Sequence, residues 1–381
     1  MHKKSSHRRL RAGIVGGGRG SFIGSVHRIA AQLDGEAVIV AGAMSSNPAI
    51  AAESAAAWYL DRSYESFVEM ARAEAKLSDG IDFVIVATPN HLHYPVARAF
   101  LEAGIHVICD KPLAFSVAEG EALAALVDQG APLFALTYNY TGYAAVREAR
   151  EMIRRGQLGG LRKVLVEYNQ SWLMDPIERS GSKQAEWRTD PNKAGVSGCV
   201  GDIGSHAENL LQFVTGERIC ALCADLSAFV PGRQLDDDAN ILIRLEGGGK
   251  GTLVCSQIAC GEENNLTIRV YGEKGGLEWR QQEPNSLIFK PSGQPWQTLR
   301  TGSGYLSDTA QAASRIPAGH PEGYLEAFAV IYRDFIADIR RVCLGEVPCR
   351  NYATVQDGLR GLRFVAKAVE SSRYGGTWLT L

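Results

Sequence analysis

The chain has 381 residues, with 40 Lys and Arg against 42 Asp and Glu, for a net charge of −2. This near-neutral balance lacks the basic footprint of a nucleic-acid-binding protein, and the length predicts two to three domains at roughly 150 residues each. The longest apolar runs have the length of a strand, as at 83–87, so we predict no membrane span. The basic start at 1–11 is not followed by the apolar stretch of a secretory signal, so we expect a cytoplasmic protein.

The eight cysteines are scattered along the chain. They do not resemble a disulfide framework. Cys220 and Cys223 form a CxxC pair, but no second pair follows at the spacing that a structural zinc site needs. We therefore interpret them as small apolar residues on a buried strand and predict no metal site.

The first third of the chain alternates short apolar runs with segments of helical period. Such alternation is typical of βαβ units and predicts a doubly wound parallel sheet, which we assign to a Rossmann dinucleotide-binding domain over 1–137. The predicted elements in chain order are a strand at 10–15, a helix at 23–33, a strand at 37–44, a helix capped by Asn47 and Pro48, a strand at 82–87, a helix from Pro95, a strand at 106–109, a helix through 123–126 and a strand at 133–136.

The pattern changes after about residue 136. One helix covers 146–153, and strands with period-two alternation then dominate, which predicts an open, mostly antiparallel sheet in an α/β domain over 138–381. The segment 281–318, rich in Gly, Pro and Ser, is predicted to be a long surface excursion. Two helices close the chain, one starting at Pro321 and one at the capping box formed by Thr354 and Asp357.

The first candidate site is the glycine cluster at 16–24, GGGRGSFIG. It lies between a strand and a helix, where the pyrophosphate of a dinucleotide meets backbone N–H groups and the positive end of the helix. A third glycine at the usual distance would fall on Ser21, so Gly24 can take that place only in a longer loop. A glycine turn without a ligand is the alternative. The residues predicted to contact the cofactor here are Gly16, Gly18, Arg19, Ser21, Phe22 and Ile23.

The second strand ends at Ser45 and Ser46, with no carboxylate for the adenosine ribose. An NAD site usually carries one. The two small hydroxyls leave room for a 2′-phosphate, and Arg19 could reach it from the glycine loop. The choice between NAD and NADP therefore stays open, and an ordinary helix-capping turn is an equally good interpretation of the two serines.

Asp110, Lys111 and Pro112 follow a strand at the carboxyl edge of the predicted sheet. Ligands bind outside this edge, where a lysine can polarise a substrate oxygen or exchange a proton with it. A surface turn with a solvated lysine is the alternative, and the tripeptide alone favours that alternative.

Asp202 and His206 lie four residues apart where a helix begins, so they share one face of it. A carboxylate beside an imidazole fixes the tautomer of the ring and stabilises its protonated form, an arrangement suited to a general base acting on an alcohol. An N-cap aspartate followed by a packed histidine explains the same two residues equally well.

Together these elements resemble the Gfo/Idh/MocA family of glucose–fructose oxidoreductase and inositol dehydrogenase-like enzymes, from residue 10 to about 380. The motifs that carry the resemblance are Gly24-x-x-His27, the strand end 87–90 with His93, Lys111-Pro112, and Asp202-x-x-x-His206. Asp110 replaces the usual glutamate, and the glycine loop is longer than the family norm.

The resemblance implies a Rossmann domain with a C-terminal α/β domain, NAD or NADP as cofactor, and a catalytic triad of Lys111, Asp202 and His206. It also implies a homodimer or homotetramer joined through the open sheet. Further residues are implied in binding. The predicted cofactor contacts at the strand ends are Thr88, Asn90, His93, Asp110 and Lys111, and the predicted substrate contacts are Lys111, Tyr140, Tyr143, Trp187, Asp202, His206 and His320. Core aromatic residues and helix-capping turns are the alternatives for Tyr140, Trp187 and His320.

The predicted function is an NAD(P)-dependent dehydrogenase that moves a hydride between the nicotinamide and a ring carbon of a sugar, polyol or related cyclic alcohol. His206, oriented by Asp202, would take the hydroxyl proton while Lys111 polarises the oxygen, although the sequence leaves open which of Lys111 and His206 is the acceptor. One alternative is a glycosidase that uses NAD only transiently, and another is a dinucleotide-binding sensor without catalysis.

Overall fold

The computed structural model describes residues 8–130 and 132–381, so most of the basic start at 1–11 lies outside the described residues. The chain divides into two compact units. The first contains the residues up to Asn139 together with Tyr324–Leu359, and the second contains Tyr140–Gly323 and Arg360–Leu381. The segment Tyr324–Leu359, near the end of the chain, therefore belongs to the first unit. The domain limits 1–137 and 138–381 remain a prediction.

The first unit contains a six-stranded sheet in the order β3-β2-β1-β4-β5-β6, and all its strand pairs are parallel. Its elements are β1 (Leu10–Gly16), α1 (Phe22–Gln32), β2 (Ala37–Ala43), α2 (Pro48–Ala57), β3 (Arg62–Ser63), α3 (Phe67–Glu74), β4 (Phe83–Ala87), α4 (His93–Glu102), β5 (His106–Cys109), α5 (Val117–Asp128) and β6 (Phe134–Leu136). The predicted doubly wound parallel sheet is confirmed. Every residue of β4 is buried, because helices cover both faces of such a sheet.

The remaining elements follow in chain order: α6 (Ala144–Arg154), β7 (Leu161–Asn169), α7 (Lys183–Arg188), α8 (Pro191–Ala194), α9 (Ser205–Thr215), β8 (Ile219–Ser227), β9 (Asp238–Leu245), β10 (Lys250–Ser256), β11 (Asn265–Gly272), β12 (Gly275–Arg280), β13 (Ser286–Pro291), β14 (Gln297–Arg300), α10 (Asp308–Ala313), α11 (Tyr324–Cys343), α12 (Val355–Arg373) and β15 (Leu379–Thr380).

The second unit is built on a nine-stranded sheet in the order β14-β13-β12-β11-β7-β10-β9-β8-β15. Strands β7 and β10 pair in parallel, and the other neighbours pair antiparallel. The open, mostly antiparallel sheet is confirmed. Cys220 and Cys223 lie on its strand β8, but both are only half-buried, so their assignment to a buried strand is wrong: β8 lies near the edge of the sheet, where only the two-residue β15 pairs beyond it. On β9, Ile241 and Ile243 are buried whereas Leu242 between them is 49% exposed, so one face of the sheet is covered and the other is open.

The segment 281–318, predicted as a long surface excursion, is mostly exposed or half-buried but contains regular structure. It contains β13, β14 and α10. Leu287 on β13 pairs with Trp279 of β12 on one side and with Leu299 of β14 on the other. The Gly, Pro and Ser residues between these short strands are typical of loops, so the composition of the segment does not indicate strands. The two antiparallel pairings depend on contacts with neighbouring strands.

Helix α11 completes the core of the first unit. Its apolar stripe includes Phe328 and Phe335, and these pack in one buried cluster with Ile14 of β1 and Ile39 of β2. The predicted capping box is confirmed, because the Thr354 backbone N–H donates to an oxygen of Asp357 at 2.7 Å. Within residues 8–130 and 132–381, no helix has the length and apolar character needed to cross a bilayer.

Candidate active site

The glycine loop leaves no room for side chains at its turns. Gly16 and Gly17 have φ values of +78° and +68°, a left-handed conformation that glycine adopts without strain. A Cβ atom on Gly16 would lie 2.5 Å from the carbonyl oxygen of Ala87 at the end of β4, and one on Gly24 would lie 2.2 Å from the carbonyl oxygen of Gly17. Gly24 therefore provides the close approach between loop and helix that the sequence left uncertain.

The start of α1 follows this loop. The Ser21 hydroxyl accepts a hydrogen bond from the Gly24 backbone N–H at 3.2 Å, so Ser21 is the N-cap of the helix. Phe22 is 68% exposed, and its ring stacks on that of Tyr324 with centroids 6.3 Å apart. Ile23 packs against the buried cluster of the first unit. A positive helix end next to a glycine turn is the arrangement that receives the pyrophosphate of a dinucleotide.

The ends of β4 and β5 are joined by His93. The Nε2 atom of His93 lies 2.9 Å from the Thr88 carbonyl oxygen, and its Nδ1 atom lies 2.6 Å from the Pro112 carbonyl oxygen. Burial lowers the pKa of His93, against the smaller opposing effects of these carbonyls. The histidine thereby fixes the turn that contains Lys111. We infer a structural role for His93, in addition to its predicted place near the cofactor.

Asp110 is held beside Lys111. Its Oδ1 atom accepts hydrogen bonds of 3.0 Å from the Lys111 backbone N–H and from the Thr137 hydroxyl. The buried ring of His27 approaches the same oxygen at 4.0 Å through Nε2, while its Nδ1 contacts the Tyr332 hydroxyl at 2.6 Å. Burial lowers the pKa of His27, with Asp110 acting in the opposite sense. Asp110, which replaces the family's glutamate, therefore orients the backbone of the lysine turn.

The residues at these strand ends fit a dinucleotide. The Thr88 hydroxyl oxygen is buried and has no hydrogen-bond partner within the described part of the chain, which is costly unless a ligand supplies one. Gly16, Gly17 and Gly24 form a cradle that any Cβ atom would fill. Asn90 follows Thr88 in a single 3₁₀ turn. These observations on the first unit support the predicted cofactor site.

In the second unit, Asp202 lies in a π-helical turn (Val200–Gly204) that precedes α9. Such turns often occur at functional sites. One oxygen of Asp202, Oδ2, accepts hydrogen bonds from Gln257 Nε2 at 2.9 Å and from Arg188 Nε at 3.2 Å. The N-cap interpretation of Asp202 is wrong, because this turn has no side-chain cap.

Arg188, which donates to Asp202, packs against two tryptophan rings. Its guanidinium carbon lies 4.2 Å from the ring centroid of Trp187 and 5.7 Å from that of Trp172. Cation–π contacts of this kind restrain an arginine and leave its N–H groups directed outward. Trp187, which we predicted as a substrate contact, thus packs on the arginine that binds Asp202.

His206 lies one turn after Asp202 and is 8% exposed. The ring of Tyr140 meets it edge-on with centroids 4.9 Å apart, and Tyr168 does so at 6.3 Å. The structure therefore brings together two of the predicted residues, Tyr140 and His206. Tyr143 stacks behind Tyr140 at 6.4 Å and packs on Trp279, so it contributes to the support of the cluster.

A network of neutral polar groups surrounds this histidine. The hydroxyls of Tyr140 and Tyr168 bond to each other. Asn264 accepts from Tyr168 at 2.8 Å and from Gln170 at 2.7 Å, and its amide donates to Tyr140 at 3.2 Å. Burial raises the pKa of Tyr140, so its hydroxyl stays protonated at neutral pH. These groups can donate hydrogen bonds to an uncharged, hydroxyl-rich ligand and accept them from it.

Two points separate the predicted site from the observed one. His320 is exposed and contacts the Pro317 carbonyl oxygen of its own turn at 3.2 Å, and among residues 8–130 and 132–381 it shares no hydrogen bond or ring contact with the cluster around His206. Sequence reasoning also missed Tyr168, Gln170, Asn264 and Gln257. Tyr168 alone left a signal, because it continues the buried alternation of Val164 and Val166 with a polar group.

A glycine loop between a strand and a helix of a doubly wound parallel sheet is the arrangement in which nicotinamide dinucleotides bind, and it points to an NAD(P)-dependent oxidoreductase. Comparison with known proteins agrees. The model for the oxidoreductase family with an NAD-binding Rossmann fold matches residues 10–137, and that for the GFO/IDH/MocA C-terminal domain matches 146–278. The chain belongs to the Gfo/Idh/MocA family, as its motifs predicted, and it uses NAD or NADP.

The chain is similar over most of its length to relatives whose structures or activities are known. An oxidoreductase from Sinorhizobium meliloti is 47% identical, with a TM-score of 0.87 over 98% of this chain and 100% of its own. An inositol dehydrogenase homologue from Azotobacter vinelandii, in complex with NADH and myo-inositol, is 34% identical, with a TM-score of 0.90 over 100% of both chains. A levoglucosan dehydrogenase from Pseudarthrobacter phenanthrenivorans is 28% identical over 73% of this chain and 75% of its own.

Proposed function

We propose that this protein is a dehydrogenase that oxidises a secondary hydroxyl on the ring of an uncharged sugar, polyol or related cyclic alcohol. The observation that supports it best is the neutral network of Tyr140, Tyr168 and Asn264 beside His206. Ring hydroxyls form hydrogen bonds with such groups, and the aromatic faces suit the apolar face of a sugar. The complexed or named substrates of two relatives, myo-inositol and levoglucosan, are uncharged cyclic alcohols.

The charges around Asp202 favour a neutral substrate. The guanidinium of Arg188 donates to Asp202 and, at 2.5 Å, to the side chain of Gln184. A phosphate or carboxylate on the substrate would have to compete with Asp202 for that arginine. An uncharged ring needs no such exchange.

His206 is the proposed acceptor of the hydroxyl proton. A carboxylate one turn earlier, at Asp202, stabilises the imidazolium that forms. Lys111 is proposed to polarise the same oxygen by its positive charge. The nicotinamide ring, when bound, accepts the hydride from the carbon. The remaining predicted contacts, Tyr143, Trp187 and His320, are proposed as supporting residues of the substrate site.

A substrate screen tests this proposal. Inositols, anhydrosugars, aldoses and cyclic polyols are offered with NAD+ and NADP+, and the nicotinamide absorbance is followed. Sugar phosphates and aldonic acids serve as charged counterparts. We expect turnover of one or more neutral rings and a much lower kcat/KM for their charged counterparts. Turnover confined to charged sugars would contradict the neutral-substrate proposal.

The same screen separates the two alternative functions. Aryl glycosides cleaved without net nicotinamide reduction would indicate a glycosidase, and binding of dinucleotide with no turnover of any alcohol would indicate a sensor. The two relatives named for an activity, an inositol dehydrogenase homologue and a levoglucosan dehydrogenase, support neither alternative.

A further inference from the structure

We propose that Glu53 is a specificity-determining residue for the cofactor. Its carboxylate holds the Arg19 guanidinium and thereby makes the protein prefer NAD over NADP. The inference concerns the dinucleotide alone, so it stands or falls independently of the proposed substrate.

The argument begins at the tip of β2, where the adenosine ribose of a dinucleotide binds in Rossmann units. The chain continues there as Met44, Ser45 and Ser46, and no carboxylate occurs between residues 37 and 52. The acid that usually selects NAD is therefore missing from its usual place. Discrimination against the 2′-phosphate of NADP must come from groups that neighbouring elements bring to this tip.

The glycine loop lies directly on the tip of β2. A Cβ atom on Gly18 would be 2.8 Å from the Met44 carbonyl oxygen and 3.0 Å from the Ser54 hydroxyl. The backbone N–H of Arg19 donates to that hydroxyl at 3.0 Å. Arg19 thus begins next to the ribose position, and the sequence contains no other Lys or Arg between Arg28 and Arg62. It is the cation that this stretch of chain offers to a 2′-phosphate.

The guanidinium of Arg19 is already paired with the carboxylate of Glu53 on α2. The two side chains are 71% and 53% exposed, so the pair lies on the solvent side of the loop. An NADP phosphate that approached Arg19 would have to displace Glu53 and remain close to its negative charge. A protein commonly discriminates between two ligands by placing a charge of the same sign next to a charged group that only one of them carries.

The N-terminus of α2 offers no substitute for Arg19. Free N–H groups at a helix start bind phosphate well. Here the side-chain oxygen of Asn47 accepts from the N–H groups of Ala49 and Ile50 at 3.0 and 3.2 Å, and the Ser45 hydroxyl accepts from Asn47 at 3.1 Å. The ribose hydroxyls of NAD need only neutral partners, and the exposed Ser46 hydroxyl is suited to that role.

The experiment measures the Kd of NAD+ and of NADP+ by calorimetric titration, for the wild type and for E53Q, R19A and the double variant. We expect the wild type to bind NAD+ at least about ten-fold more tightly than NADP+. E53Q should strengthen NADP+ binding about five- to ten-fold and leave NAD+ within about two-fold. The double variant should lose this gain, because the gain requires Arg19. High salt should reduce it, since the pair is exposed.

The control is E102Q, which removes the carboxylate from another exposed pair, Arg98 and Glu102 on α4. It should change neither Kd. The proposal is overturned if E53Q leaves NADP+ binding unchanged, if its gain persists in the double variant, or if the wild type binds NADP+ as tightly as NAD+.

Discussion

The carboxylate of Asp202 is engaged from two sides by residues that do not themselves belong to the proposed triad. Gln257 donates from the loop after β10, and Arg188 donates from the end of α7. Two donors on one oxygen fix the orientation of a carboxylate. In the proposed mechanism, the carboxylate that stabilises the His206 imidazolium is therefore held in one orientation before a substrate arrives.

Arg188→Ala should accordingly lower kcat about ten- to hundred-fold and change the substrate KM less, because Arg188 positions Asp202 and does not bind the reacting atoms. Arg188→Lys should restore part of the loss, since it returns the charge without the fork of donors. Steady-state kinetics measures both effects. Arg179→Ala is the control, because within the described part of the chain Arg179 bonds to the Pro231 carbonyl oxygen and does not contact Asp202. Wild-type kcat in Arg188→Ala would exclude the positioning role.

Lys111→Ala and His206→Ala test the proposed catalytic residues themselves. Each variant should reduce kcat about 10²- to 10⁴-fold, the usual range for loss of a general acid or base. The Kd of the dinucleotide should stay within a few-fold, because most of the cofactor contacts we propose lie in the glycine loop and at the end of β4, and Lys111 is only one of them. Steady-state assays measure kcat, and titrations of the same preparations with dinucleotide measure Kd, so that the two losses can be compared for each variant. Equal losses of turnover and cofactor affinity would contradict both roles.

At the scale of elements, local patterns predicted much more than pairings between distant strands. The strand, glycine turn and helix at 10–32 form a local unit, and the sequence placed all three correctly. Strand β3 has two residues, Arg62 and Ser63, too few to show any period, so it was not predicted. Helix α3, which follows it, was not predicted either. Asn264 reaches Tyr168 only because the antiparallel register of β7 with β11 aligns Tyr168 with Leu266. No local pattern encodes a contact across 96 residues.

Strand β5 gives a prediction for stability. The Nδ1 atom of His106 accepts a hydrogen bond from the Leu133 backbone N–H at 2.9 Å, beside β6. Burial lowers the pKa of His106 from 6.5 to about 4, and Asp82 opposes this effect. The unfolded chain therefore takes up this proton near pH 6.5, whereas the native protein does so only near pH 4. The contribution of His106 to the free energy of unfolding is therefore complete above pH 6.5. It falls by as much as about 3 kcal/mol as the pH drops towards 4.

His106→Asn should retain an acceptor for Leu133 and remove this titration. We expect urea unfolding between pH 7 and pH 5 to show a smaller loss of unfolding free energy in the variant than in the wild type. His27 and His93 titrate in the same direction and remain in both proteins. His320→Asn, at an exposed position, should behave as the wild type does. The same pH dependence in the wild type and in His106→Asn would refute the assignment.

At the scale of the whole molecule, we predict that the open face of the nine-stranded sheet mediates self-association. A row of side chains crosses it in register, from Leu242 on β9 through Thr252 on β10 to Leu165 on β7. Leu242 is 49% exposed and the other two are half-buried. Arg269 and Glu167 form an ion pair next to this row. An apolar centre with a charged rim is typical of interfaces between subunits.

The homodimer or homotetramer implied by the family resemblance should therefore depend on Leu242. Leu242→Glu should reduce the molar mass measured by light scattering at micromolar concentration towards that of one chain, because it places a charge in the centre of the contact. Leu344→Glu, at another exposed leucine, should leave the mass unchanged. A wild type of monomeric mass, or a Leu242→Glu variant that stays associated, would contradict the prediction.

The return of the segment 324–359 to the first unit has a consequence for how the protein is made. Phe328, Phe335 and their neighbours on α11 fill the same buried cluster as Ile14. A ribosome releases the glycine loop and all six parallel strands long before it synthesises α11. During that interval the apolar surface that α11 will cover stays exposed to chaperones and proteases. Nascent chains halted near residue 320 should thus be degraded faster than chains extended past residue 359.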